Sequence, residues 1–100
     1  MLKRIAGFDW DPGNLDHCRK HGVTQADVER LFRNSPATSF DREHSDGEAR
    51  FFAVGQVGVR WLFVVFTFRV RDGQRWLRPI SARPMHQKEV QRYVKAASGL

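Results

Sequence analysis

Four arginines at the ends of strand-like runs set the first chemical question. From Arg60 to Tyr93 the chain reads RWLFVVFTFRVRDGQRWLRPISARPMHQKEVQRY, and Arg69, Arg71, Arg78 and Arg83 puncture residues that favour buried strands. A guanidinium stays charged and presents a planar fork of donors that fits two phosphate oxygens. Arginines gathered at strand ends therefore suit a polyanion. Arg69 is the best placed, because alternation puts it on an otherwise apolar face where a lone charge is costly. A salt bridge to Asp or Glu would satisfy it as well. Trp76 shares strand parity with Arg78 and is a stacking candidate, whereas core packing is the stronger expectation for Trp10 and Trp61. Arg60 and Arg75 read as solvated strand ends.

His17 and His21 lie four apart with Cys18 between them, which raises a metal site. The chain has no second cysteine and no carboxylate–histidine pattern to complete a tetrahedral set, so no metal or other cofactor is assigned. Nucleophilic-hydrolase motifs and phosphate-binding glycine loops are also missing from the sequence.

Composition bounds what must position these groups. A chain of 100 residues with 41% apolar content builds one modest core, which predicts a single domain over residues 1–100. Lys and Arg number 17 against 11 Asp and Glu, a net charge of +6, which points to nucleic acid, an acidic protein, or both. No apolar run reaches the roughly 18 residues of a spanning helix, and the N-terminal MLKRIAGFDWDPG lacks a signal peptide's uninterrupted apolar core. The expectation is a cytoplasmic protein with no membrane role, and lone Cys18 fits a reducing compartment.

Leu2 to Trp10 reads as a first strand. Asp11-Pro12 is an N-cap followed by proline at the first helical position, opening a helix that runs to His21 and stops at Gly22. Thr24 with Asp27 forms a capping box for a second helix, with Val28, Leu31 and Phe32 on its buried side and Ser35-Pro36 at its end. Strands follow at Ala37 to Phe40, Arg50 to Val57, Val59 to about Arg71 and Arg75 to Arg83, with Gly55 and Gly58 bracketing one reversal and Asp72-Gly73 forming another. Leu62, Val64, Phe66, Phe68 and Val70 share one face of the longest strand. Trp61, Phe63, Val65, Thr67, Arg69 and Arg71 share the other, so the strand should be central and covered on both sides until Arg69. Pro79 has no N–H for a ladder, so its strand is either an edge or bulged there, which would re-aim Arg78 and Arg83. Pro84 suits the first turn of a last helix with a stripe of Val90, Tyr93, Val94 and Ala97, ending at Ser98-Gly99. The fold class is α+β, a mainly antiparallel sheet packed with three helices in the order β-α-α-β-β-β-β-α.

Four motifs then carry a resemblance across nearly the whole chain. Phe8-Asp9-Trp10-Asp11-Pro12, Arg19-Lys20-His21-Gly22-Val23, Asp41 to Arg50 with His44-Ser45 and Gly47-Glu48-Ala49-Arg50, and Ile80-Ser81-Ala82-Arg83 stand in the order and spacing of the BrnT family. The chain resembles BrnT toxins of type II toxin–antitoxin systems. The resemblance implies a RelE-like fold, a ribonuclease activity on RNA, and a BrnA-like antitoxin with which the toxin forms a hetero-oligomer.

Metal-independent RNA cleavage uses the neighbouring 2′-hydroxyl as nucleophile, so the protein must help remove that proton, stabilise the phosphorane and protonate the leaving oxygen. Arg69, Arg78 and Arg83 suit the second task. The resemblance adds Lys20, His21, His86 and Tyr93 for acid–base work, and Arg71, Trp76 and Tyr93 are the candidates for RNA binding. Each has a plainer reading. Lys20 and His21 fall in the last turn of a helix, where positive groups meet its dipole; for Lys20 the two readings balance, and the family motif favours function for His21. His86 near a helix start suits a phosphate, or is a surface residue. His44 reads as a local hydrogen-bond partner in a turn-rich segment. Tyr93 fits a core position with its hydroxyl at the rim.

The resulting expectation is a toxin endoribonuclease that cuts mRNA and stops translation. Two other classes fit parts of the sequence: a basic nucleic-acid-binding module without catalysis, and a degenerate toxin kept for antitoxin binding.

Overall fold

The computed structural model describes residues 4–97. The order is β1 (Ile5–Phe8), α1 (Pro12–Arg19), α2 (Gln25–Arg33), β2 (Ala37–Asp41), β3 (Arg50–Val57), β4 (Arg60–Arg71), β5 (Gln74–Pro84) and α3 (Gln87–Ala97). This is the α+β order expected. The five strands form one sheet, β1-β5-β4-β3-β2, antiparallel except that β1 runs parallel to β5. Of the outer boundaries expected from the sequence, Leu2 and the Ser98-Gly99 stop lie outside the described residues.

Local chemistry accounts for both early helices. Asp11 caps α1 and Asn14 completes a capping box, while Thr24 and Asp27 form the expected box on α2. Helix α1 ends earlier than anticipated: Arg19 is its last residue, Lys20 its C-cap, and His21 belongs to the turn at Gly22, whose φ is +76°. Asp72 and Gly73 both have positive φ, 53° and 76°, as the β4–β5 hairpin requires.

One face of the sheet is closed. Leu62, Val64 and Phe66 are fully buried with Ala53, Leu77 and Ala82, beneath Val28, Leu31 and Phe32 of α2 and beside Cys18 and Val23. Phe32 meets Phe66 edge-on with ring centres 5.0 Å apart. Gly55 serves this packing rather than the reversal expected of it, since a Cβ there would stand 2.6 Å from Leu31 Cδ1. The turn itself is made by Gly58 and Val59, so β4 begins at Arg60. Burial of Cys18 pushes its thiol pKa up to about 11, as befits a core residue.

The opposite face departs from expectation. Trp61, Phe63 and Val65 are half-buried rather than covered. Pro84 ends β5 instead of opening a helix, and α3 starts at Gln87 with no buried residue; Val94 of its stripe is 47% exposed. The helix is held by Tyr93 against Trp61, ring centres 5.5 Å apart, and by the Arg83–Glu89 ion pair.

Pro79 resolves as a bulge, not an edge. β5 lies between β1 and β4, and its register against β4 slips by one residue between Ser81 and Pro79, leaving Ile80 as the extra residue. On the other side, the Asp9 N–H donates to the Leu77 carbonyl at 2.8 Å, and the parallel ladder would next need an N–H from residue 79. Proline has none. The Asn14 side-chain amide substitutes, donating to the Asp9 carbonyl at 2.9 Å and the Pro79 carbonyl at 2.8 Å. β1 therefore ends at Phe8, short of Trp10, and α1 continues along the β5 edge.

Candidate functional site

The bulge and helix α1 together shape a cavity of about 320 Å³ on the open face, lined by Asn14, His17, Glu48, Arg50, Arg69 and Arg78, with Gly13 and Ile80. Three strands and one helix contribute to it, and the guanidinium groups of Arg69 and Arg78 each have an identifiable support.

Arg78 stands opposite Thr67 in the β4–β5 pairing and is only 18% exposed. Its guanidinium is steered by two carboxylates, Asp11 at 2.9 Å and Asp9 at 3.6 Å. The Asn14 backbone N–H above all, with help from the Arg78 guanidinium, holds the Asp11 carboxyl below the usual carboxylate range against the opposing effect of desolvation. Asp9 is itself buried and also receives Arg71 at 2.6 Å. Asp9-Trp10-Asp11 thus anchors Arg71 and Arg78 at one end of the sheet.

Arg69 sits two residues along β4 from Thr67 on the same face, 3.1 Å from Glu48. That carboxylate arrives by way of the β2–β3 connection, which is tied internally. Buried Asp41 accepts the backbone N–H groups of Glu43 and His44 and lies 3.0 Å from His44 Nδ1. The Ser45 hydroxyl donates to the Asp41 carbonyl and accepts the Arg50 N–H at 3.0 Å. Thr67 Oγ1 then donates to the Ala49 carbonyl at 2.6 Å, fixing the segment to β4 between Glu48 and Arg50. The local role expected of His44 is the one it takes.

The structure divides the residues singled out from sequence. Arg69 and Arg78 share the cavity. Trp76 pairs across from Arg69 and its ring lies over Gly7, where a Cβ would come within 3.0 Å, so Trp76 and Arg71 flank the cavity on the same face. Arg83 does not join them. It pairs with Phe63, four residues along β4 from the partner of Arg78, about 13 Å at the rise of a strand. There it meets both Glu89 oxygens at 2.8 Å and lies over the Phe63 ring. That bond from Arg83, then one from the His86 N–H, lowers the Glu89 pKa from 4.5 to about 2. His86 is exposed at the start of α3, and Tyr93 packs with Trp61 at the same end. Lys20 and His21 are exposed beyond the far end of α1 and do not line the cavity.

Two arginines expected as solvated strand ends are only partly so, because each has a protein partner. Arg60 reaches Asp27 at 2.7 Å and the Gly22 carbonyl at 3.0 Å, tying β4 to α2, and Arg75 lies over the Phe68 ring. Conversely, the cavity also takes in Glu48 and Arg50, for which no site role was expected, and His17, considered above only as a metal ligand. Glu48 and Arg50 stand in one of the four motifs, and His17 lies one helical turn from Asn14. A larger, more open depression of about 520 Å³ near the β4–β5 turn is lined by Arg4 and Arg75 but gathers no imidazole or carboxylate.

A cavity presenting three guanidinium groups, an imidazole and a carboxylate is suited to holding a phosphodiester and moving protons around it. A family model described as the ribonuclease toxin, BrnT, of type II toxin-antitoxin system matches residues 10–89. The chain belongs to the BrnT family. No curated protein matches it significantly. Membership makes it a type II ribonuclease toxin at family level, with an antitoxin as partner and RNA as target. The matched span takes in every element from α1 to β5 and every residue lining the cavity. Among the described residues no helix is long and apolar enough to cross a membrane.

Proposed function

We propose that this BrnT-family chain is a cytoplasmic endoribonuclease that cuts mRNA without a metal ion, stopping translation, and that a BrnA-like antitoxin neutralises it by covering the arginine-rich face. The convergence of Arg50, Arg69 and Arg78 on one cavity carries the reading. In the reaction the ribose 2′-hydroxyl attacks its own phosphate, and negative charge grows on the phosphorane oxygens. Arg69 and Arg78 are the groups assigned to that charge, because their carboxylate partners already hold them in place before RNA arrives. Trp76 offers a ring for a neighbouring base and Arg71 a backbone contact. Arg83, His86 and Tyr93, together at the α3 end, are assigned to a more distant stretch of the strand, and Lys20 and His21 to attraction of RNA. A face of this charge is a fitting target for an acidic or amphipathic antitoxin segment.

Induced expression of the chain alone should arrest growth, and co-expression with the antitoxin should restore it. The purified protein should cut single-stranded RNA in the presence of chelator, and Arg69→Ala should lower that rate by about 10²–10³-fold. Normal growth with soluble wild-type protein would overturn the toxin reading. RNA bound reversibly but left intact would favour the non-catalytic module instead.

A further inference from the structure

Two side chains of the arginine cavity have no part in the proton transfers of that account. His17 comes from α1, which lies against β5; Glu48 comes from the connection entering β3. The strands carrying Arg78 and Arg69 run between them, so an imidazole and a carboxylate line one cavity from opposite sides of two guanidinium groups.

Resting on the reading of this cavity as the cleavage site, we infer that Glu48 is the general base and His17 the general acid of the reaction. Elimination within the cavity supports the pair. Guanidinium groups do not give up a proton in a protein, and both N–H bonds of the Asn14 amide are committed to the Asp9 and Pro79 carbonyls. Among the cavity-lining side chains, Glu48 and His17 are the ones of the types that serve as general acids and bases. Their places follow from their chemistry. Glu48 is 3.1 Å from Arg69, so a phosphate held by that arginine brings its ribose within reach of the carboxylate. His17, contributed by α1 on the β5 side of the cavity, is assigned to the departing side.

The step balances as follows. Glu48 takes the 2′-hydroxyl proton as O2′ bonds to phosphorus; the bond from phosphorus to O5′ breaks with its electron pair on oxygen; the His17 imidazolium gives that oxygen a proton. The products are a 2′,3′-cyclic phosphate and a 5′-hydroxyl, and exchange with water returns the proton from Glu48 to His17. Arg50, Arg69 and Arg78 counter the charge of the phosphate, which leaves His17 to the proton transfer alone.

The test uses the full chain, an oligoribonucleotide that it cuts, and the same oligonucleotide with a 5′-bridging sulfur at the cut linkage, whose thiolate leaves without a proton. Both residues face the open cavity, so Glu48→Gln and His17→Gln should fold normally. Each should lose about 10²–10⁴-fold on the oxygen linkage. On the sulfur linkage His17→Gln should approach wild-type rate while Glu48→Gln stays slow. Wild-type rates for both variants on the oxygen linkage would overturn this assignment and leave the proposed function standing. An equal loss by His17→Gln on both linkages would remove the acid role. Failure of wild-type protein to cut any RNA would instead sink the reading on which the assignment rests.

Discussion

The two faces of the sheet use the same residue types to different ends. On the closed face, Leu62, Val64 and Phe66 disappear under α2, and the charges nearby, such as Arg60 on Asp27, tie elements together. On the open face, α3 covers one end without burying any of its own residues, and the other end holds the arginine cavity. Stability is concentrated on one side and chemistry on the other, which lets a 100-residue chain expose an expensive cluster of cations without dissolving its core.

Two phenylalanines three residues apart on β4 measure that division. Phe66 is fully buried and its ring meets those of Phe32, Phe51 and Phe68. Phe63 is half-buried, between Phe52 and the Arg83 guanidinium. Phe66→Ala should cost about 3–5 kcal/mol in urea unfolding, the usual range for emptying a ring from a packed core. Phe63→Ala should cost less than half as much. Equal losses would mean that the open face contributes as much packing as the closed one, and the comparison would fail.

The boundary between the faces is Asn14. Its amide completes the β1–β5 ladder where Pro79 cannot, and its Oδ1 accepts the Asp11 N–H at 2.8 Å. Asn14→Ala should cost about 1–3 kcal/mol, because it strands buried carbonyls. It should also slow RNA cleavage, since Asp11 and the bulge aim Arg78. Asn14→Asp sharpens the assignment: it keeps an acceptor for the cap but has no amide for the two carbonyls. If Asn14→Asp were as stable as wild type, capping alone would explain the residue.

How much of this was legible depended on whether the contact was local. Asp11-Pro12, Thr24 with Asp27, and Asp72-Gly73 each announce their structures within a few residues, and all three form as read. Pro79 could be narrowed to edge or bulge and no further, because the choice rests on the parallel pairing of β1 with β5, about seventy residues apart in the chain. Periodicity marked the stripe of α3 but could not tell whether a sheet lay beneath all of it; Val94 shows that it does not. Strand parity pointed to Arg69, and of the neighbours expected for it, Arg78 lines the same cavity and Arg83 does not. Parity could not find the rest of the cavity, because the Thr67–Ala49 bond that brings in Glu48 and the Asn14 bonds that seat α1 beside β5 cross between elements. The family motifs had marked Glu48 and Arg50 without saying what they face.

The smallest expected effect probes how the open face holds α3. With so little packing beneath it, the helix relies on Glu89, whose pKa is lowered to about 2 by the Arg83 guanidinium first and the His86 N–H second. A depressed carboxyl stabilises the folded state above its unfolded pKa, ordinarily 4.5, and that contribution is lost as pH falls through the folded value near 2. Both partners remain about one-third exposed, so solvent screens the pair, and Glu89→Gln should cost below about 1 kcal/mol at pH 7. The gap between wild type and Glu89→Gln should shrink as pH drops from 4.5 toward 2, read as amide exchange in α3. The Phe66→Ala penalty arises from packing and should follow no such titration. A Glu89→Gln deficit that persisted unchanged to pH 2 would place the hold on α3 in the Trp61–Tyr93 contact and its surroundings rather than in charge, making the two faces alike in kind and different only in extent.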